Sequence, residues 1–396
     1  MTLYVRIGVV GAGYMGRSHA AAYRNVAAIF GAEPARPLLD CVADVNMESA
    51  VRMQKDFGFL RSTGDWREII DDPRIDAVDI CAPNGLHREI ALAAARAGKH
   101  IYCEKPLAMS STDSRQMMLA AQRSGVITLV GFTYMHNPVQ AYVRELLDSG
   151  EIGEVVQFRT ARDQDIMADP ELPFSWRHDR ALAGPGALGD NGVHALSLSQ
   201  MMVGDIVELC AMVETFIKER PVAKAGSGYA ARIDKEGGMR RVENDDVAVI
   251  LVKYRTGATG TIESSRIGTG RKAGPQYELQ GTRGTIVFDQ QYLNEVQICR
   301  AGGQWQTQRL SEDHPGSAPF HVGGGMQLGF NDQKIVEARR FVVAIAGGEP
   351  IRADFEFGHK ICVAVDAVLK SVDEKRWVSV SEIDPWPDGS VGEVVR

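Results

Sequence analysis

The chain has 396 residues, with 44 Lys and Arg against 51 Asp and Glu, for a formal charge of −7. This length predicts two or three domains, each able to bury a core without staples. Apolar residues are 44% and charged residues 24% of the chain, which excludes a disordered chain, a collagen and a coiled-coil rod. The acidic balance and the lack of a basic run argue against nucleic acid or an anionic membrane as partner.

The first third alternates strands and helices. Val5–Val10 is an apolar run ending at Gly11, followed by a helical stretch from Met15 to Phe30. Leu38–Ala43 is the next strand and closes on Asp44. Ala77–Ala82 is another, followed by an alanine-rich helix over Leu86–Ala97 that Gly98 ends. His100–Cys103, a helix over Ser111–Ser124 and a strand over Ile127–Phe132 complete the series. Such alternation predicts an α/β, Rossmann-type doubly wound parallel sheet in residues 1–131, covered by helices on both faces.

Residues 132–396 read differently. Asn137 and Pro138 form a cap and first-turn pair for a helix that Gly150 ends. Alternating strands follow, with a hairpin over Val247–Tyr254 and Ala258–Ile267 and a meander through Tyr277–Gln280, Gly284–Phe288 and Val296–Cys299. Two amphipathic helices, Lys334–Ile345 and Phe357–Val372, come late. The pattern predicts an α+β domain on a largely antiparallel open sheet. Lys218–Asn244 and Gly302–Asn331 read as long loops, the kind that form lids, interface arms or disorder.

None of the six cysteines forms a C-x-x-C pair, so we expect buried thiols in a reducing compartment and no metal site. No run approaches the ~20 apolar residues of a membrane span and none reads as a signal peptide; a cytoplasmic protein is expected.

Chemistry gathers at the carboxyl ends of the predicted strands. Gly11, Gly13 and Gly16 make a G-x-G-x-x-G that follows a strand and opens a helix. Gly11 permits the turn, Gly13 lets backbone approach a pyrophosphate, and Gly16 lets the helix pack on its strand. The helix N-terminus beyond Tyr14 and Met15 attracts that anion. Asp44 would accept hydrogen bonds from an adenosine ribose and repel a 2′-phosphate, favouring NAD over NADP; otherwise it is a solvated carboxylate. Its distance from Gly16 exceeds the usual ~20 residues, which an insertion at Phe30–Pro37 accounts for. Its rival Asp40 reads as lying at the strand start. Asn84 can cap the next helix, face a nicotinamide, or both, and His87 follows it.

Lys105, between Glu104 and Pro106, either aims a point charge into the crevice or pairs with Glu104 on the surface. Gly186, Gly189 and Gly192 recur along a probable helix despite a cost of ~1 kcal/mol each, which implies close approach of a ligand or another backbone. Asp190 and His194 sit at i and i+4 on its face. Asp190 can orient the imidazole or bind a substrate hydroxyl and His194 suits proton transfer, although such pairs also occur as surface or cap features. No third ligand stands near them for a metal.

Together, Gly11-Ala12-Gly13-Tyr14-Met15-Gly16, Asp44, Glu104-Lys105-Pro106 and Gly186-Ala187-Leu188-Gly189-Asp190 with His194 resemble the Gfo/Idh/MocA family of sugar and polyol oxidoreductases. Phe174-Ser175-Trp176-Arg177 is similar to its levoglucosan and inositol dehydrogenase branch. The resemblance implies NAD-dependent oxidation of a ring hydroxyl on a cyclic sugar or polyol, by a homodimer or homotetramer. It implies a catalytic set of Lys105, Asp190 and His194. Gly11, Gly13, Tyr14, Met15, Gly16, Asp44, Asn84, His87, Glu104 and Lys105 would hold the cofactor. Lys105, His136, Arg162, Asp165, Trp176, Arg177, Asp190 and His194 would hold the substrate. His136 stands where many relatives carry arginine, and Ser197 where many carry aspartate. An NAD-dependent glycosidase acting by transient oxidation and elimination, and a non-catalytic sugar or NAD sensor, are the alternative readings on this fold.

Overall fold

A computed structural model describes residues 3–385 except 32, 226–231, 235–236, 322 and 324. The first region runs β1 (Leu3–Val10), α1 (Tyr14–Phe30), β2 (Ala35–Ala43), α2 (Met47–Phe57), β3 (Arg61–Thr63), α3 (Arg67–Asp71), β4 (Ala77–Ile80), α4 (His87–Arg96), β5 (His100–Cys103), α5 (Ser111–Ser124) and β6 (Thr128–Val130). Every strand pairing here is parallel, in the order β3-β2-β1-β4-β5-β6. This doubly wound order opens a ligand crevice beyond the carboxyl ends of β1 and β4, where the winding reverses. All of β4 and β6 is buried, as central strands covered on both faces must be.

Two features differ from the sequence reading. β2 begins at Ala35, three residues before the expected strand start at Leu38. Asp40 therefore lies inside the strand, buried and paired with Arg6 and Arg61. Residues 47–63 form α2 and β3, which the pattern did not predict. Asn46 accepts the Ser49 N–H to start α2, and Gly58, at φ +70°, ends it.

The second region runs α6 (Pro138–Asp148), β7 (Val155–Gln164), α7 (Arg180–Ala183), α8 (Val193–Val203), β8 (Ile206–Glu214), β9 (Glu219–Pro221), β10 (Ala223–Ala225), β11 (Arg232–Ile233), β12 (Met239–Arg241), β13 (Val247–Tyr254), β14 (Thr259–Ser265), β15 (Lys272–Gly281), β16 (Gly284–Asp289), β17 (Glu295–Arg300), β18 (Gln306–Arg309), α9 (Asp332–Ile345), α10 (Phe355–Glu374) and β19 (Val378–Ser379). Nine strands form one sheet, in the order β18-β17-β16-β15-β7-β14-β13-β8-β19, with β7–β14 its one parallel pair among the described residues. The expected loop over 218–244 instead carries two small antiparallel pairs, β9 with β12 and β10 with β11; its residues 226–231 and 235–236 lie outside the described ones. The expected loop over 302–331 contributes β18 and a small cluster in which Phe320 and Leu328 pack with Val336 of α9.

The late helices return to the first region. α9 packs against α1, and α10 packs against α5 and β6 as well as β8. α8 is buried on nearly every side, the signature of an internal helix. The six cysteines are free, and no described helix is long and apolar enough to cross a membrane.

Candidate active site

The glycine loop leaves β1 at the switch point. Gly11 adopts φ +108°, which favours glycine, and the Gly16 Cα sits so close to the Gly11 carbonyl that a Cβ would collide with it. Space above Gly13 is open. No side chain caps α1 and no acid lies in its first turn, so its N-terminal N–H groups keep their pull on an anion. Tyr14 is exposed and Met15 half-buried at the tip of the loop. Asp44 accepts the Ala12 N–H and the Asn46 N–H, each at 2.8 Å. Each carboxylate oxygen keeps a lone pair for a ribose hydroxyl. This set of donors, space and acceptor fits a dinucleotide.

Across the crevice, Lys105 reaches out from the end of β5. Its Nζ donates to Asp190 Oδ1 at 2.6 Å and to the Asp190 carbonyl at 3.0 Å. Asp190 lies in a single π-helical turn, Leu188–Gly192, that runs into α8. Asp245, on the far side of that turn, accepts the N–H groups of Gly186 and Leu188, each at 2.8 Å. Gly186 is obligatory there, since a Cβ would strike the Asp245 carbonyl. Such π turns recur at functional sites.

Burial disfavours the Asp190 charge, yet the Lys105 ammonium, then Arg177, hold its carboxyl well below the carboxylate range. Burial, reinforced by Lys105 and Arg162, pushes His194 well below its ordinary value. The imidazole is therefore neutral at neutral pH and able to take a proton. The Tyr134 ring stands edge-on to it, with centroids 4.8 Å apart. Arg162 donates to the Tyr134 hydroxyl at 3.2 Å and to Gln164 Oε1 at 3.3 Å. The Arg177 guanidinium lies 4.4 Å over the half-buried Trp176 ring.

Family comparison agrees with this geometry. Residues 5–132 match the oxidoreductase family model for the NAD-binding Rossmann fold, and residues 141–287 match the GFO/IDH/MocA C-terminal domain. Levoglucosan dehydrogenase of Pseudarthrobacter phenanthrenivorans is 36% identical over 385 residues, covering 96% of this chain and 99% of that protein. The chain belongs to the Gfo/Idh/MocA family of oxidoreductases. Myo-inositol 2-dehydrogenase of Thermotoga maritima is 26% identical over 96% of this chain and 99% of its own. The structure of levoglucosan dehydrogenase with NADH and levoglucosan superimposes with a TM-score of 0.89 at 35% identity, over 95% of this chain and 99% of that one. As a Gfo/Idh/MocA protein, the chain carries an NAD-binding Rossmann domain and is an oxidoreductase.

Several sequence expectations need correction. Asn84 caps no helix; its amide donates to the Ala183 carbonyl of α7. His87 is fully buried and bridges the Ala82 and Pro106 carbonyls at 3.0 and 2.9 Å, bracing two strand ends from behind the crevice. Glu104 makes no surface pair with Lys105; it is buried beneath the crevice. His136 is also buried and turns toward Glu337 and Arg340 of α9. Asp165 is held by Lys272 at 2.7 Å and by the Gly270 N–H. Asp190 does not orient His194, whose Nδ1 is buried without a partner among the described residues. Ser197 cannot serve either, since its hydroxyl donates back to the His194 carbonyl at 2.8 Å.

Tyr134 and Asp245 were missed. Tyr134 lies just beyond β6, so its place at a strand's carboxyl end was the available signal. Asp245 is remote in sequence from the turn it caps and gives no local signal.

Proposed function

We propose that this protein is an NAD-dependent dehydrogenase that oxidises a ring hydroxyl of a cyclic sugar or polyol of the anhydrosugar, inositol or glycoside type. The observation that carries this reading is the Lys105–Asp190 contact of 2.6 Å beside a His194 kept neutral by burial. Similarity along the whole length of a levoglucosan dehydrogenase makes an anhydrosugar the first substrate to try.

Gly11, Gly13, Tyr14, Met15 and Gly16 would hold the pyrophosphate of NAD and Asp44 its ribose. NAD, when bound, supplies the acceptor for the hydride leaving the ring carbon. The remaining steps belong to the chain. Two Lys105 donors are engaged by Asp190, which leaves one for the substrate oxygen, where the ammonium stabilises alkoxide character. His194 takes the hydroxyl proton. Asp190 fixes Lys105 and offers its second oxygen to a neighbouring hydroxyl. Arg162 and Tyr134 form one wall; Trp176 and Arg177 form another, offering a ring face and donors to a sugar. We assign residues 1–131 to the cofactor and 132–396 to substrate binding and to a homodimer or homotetramer interface, in a cytoplasmic protein.

The test is nicotinamide absorbance with the purified protein over anhydrosugars, inositols, hexoses and glycosides, each with NAD and with NADP. Turnover with NAD supports the reading. No absorbance change with either cofactor, together with aglycone release by protein holding bound NAD, would replace it with the glycosidase.

A further inference from the structure

Glu104 and Lys105 leave β5 in opposite directions. Lys105 enters the crevice, while Glu104 turns inward. The Glu104 carboxylate accepts the Lys105 backbone N–H at 3.0 Å, His19 Nε2 at 2.8 Å and Lys334 Nζ at 3.0 Å. His19 belongs to α1, three residues after Gly16, and its Nδ1 meets Asp79 of β4 at 2.9 Å. Lys334 comes from α9 and continues to Glu337 at 2.7 Å and to the Tyr102 hydroxyl at 3.2 Å. Glu337 in turn accepts the Thr133 hydroxyl at 3.0 Å, beside Tyr134. All five charged side chains are buried.

One continuous chain of ion pairs therefore joins the cofactor helix, two strand ends and a helix of the second region. His19, Asp79 and Cys81 also cluster within 4.8 Å, a spacing that suits metal ligands, but both His19 nitrogens are already committed to carboxylates. Packing alone does not explain such a chain, since apolar groups of the same volume are often as stable or more so. What the charges add is direction. Glu104 is gripped from two sides and backed by Gly131, where a Cβ would lie 2.8 Å from the carboxylate. Its remaining oxygen is thereby aimed at the Lys105 N–H.

We propose that Lys334 and His19 are positioning residues for Lys105: by clamping Glu104 they fix the backbone from which Lys105 reaches Asp190, and they tie it to the cofactor helix. This rests on the reading of Lys105 as a catalytic residue.

The test compares full-length wild type with Lys334→Met, which keeps most of the stem and removes the charge, and with Glu104→Gln as a second variant. We expect crystal structures of the variants to show Lys105 Nζ displaced by about 1 Å from Asp190, and kcat to fall by about 10²-fold. Substrate KM should stay within about threefold, and Lys334→Arg should recover part of the rate. A melting temperature that falls while kcat and the Lys105–Asp190 contact stay at wild-type values would overturn the proposal. Failure of both variants to fold would also overturn it, by assigning the chain to stability alone. Absence of wild-type turnover on every sugar would count against the dehydrogenase reading instead, and the Lys105–Asp190 distance in the variant structures would still decide the positioning claim.

Discussion

Around Lys105 the charges are few, partly open and incompletely satisfied. One Lys105 donor, His194 Nδ1 and Arg162 Nε have no partner among the described residues. Around Glu104, one position earlier, the charges interlock, and every polar atom of Glu104 and His19 is paired. Alternation along an extended chain sends the two side chains to opposite sides. The open cluster keeps vacancies that a ligand can complete, whereas Glu104 and His19 have none to offer. Unsatisfied groups thus mark where chemistry is done, and satisfied ones mark what holds it in place.

Substitutions in the two clusters should separate along the same line. The largest effect belongs to the open cluster. Lys105→Met should lower kcat by about 10²–10³-fold, with unfolding free energy within about 1 kcal/mol of wild type. Steady-state kinetics and denaturant unfolding read both quantities, and a large loss of stability with modest loss of rate would break the distinction.

His19→Asn should lower kcat less than Lys105→Met does, through a displaced Lys105, and should in addition cost stability in a pH-dependent way. Burial lowers the His19 imidazole, but Asp79 foremost, then Glu104, outweigh it and raise the group from 6.5 to about 9. The Tyr102 ring, Cys81 and the opposing Lys334 also face it. Because the folded value lies above the unfolded one, this stabilisation is fully present below pH 6.5 and is lost as pH rises through about 9. Wild type should lose roughly 3 kcal/mol across that window, and His19→Asn should lose far less. Parallel stability curves, measured by urea unfolding at several pH values, would remove the charged His19 from the picture.

The smallest effect concerns the cofactor edge. Asp44→Ala should raise the KM for NAD about tenfold and narrow the preference over NADP. An unchanged cofactor ratio would mean that ribose selection lies elsewhere.

What was legible in the sequence followed from local necessity. Gly11 and Gly16 could be read because a positive φ and a backbone contact admit nothing larger. Lys105, Asp190 and His194 could be read because their types and order recur together. The π turn at Leu188–Gly192 could not, since it depends on Asp245, which arrives from another part of the fold to take two N–H groups. His136 was named because it stands where relatives carry arginine, but a short helical turn sends it toward α9 and brings Tyr134 to His194 instead. α2 escaped notice because only Ala50 and Met53 of its face are buried, too thin an apolar stripe to stand out.

The most direct measurement is NADH formation by His194→Ala beside wild type, at saturating NAD on the best sugar of the panel. If a neutral His194 takes the hydroxyl proton, the variant loses about 10²–10⁴-fold in kcat while NAD affinity is unchanged. Turnover close to wild type would contradict that role and move proton transfer to another group.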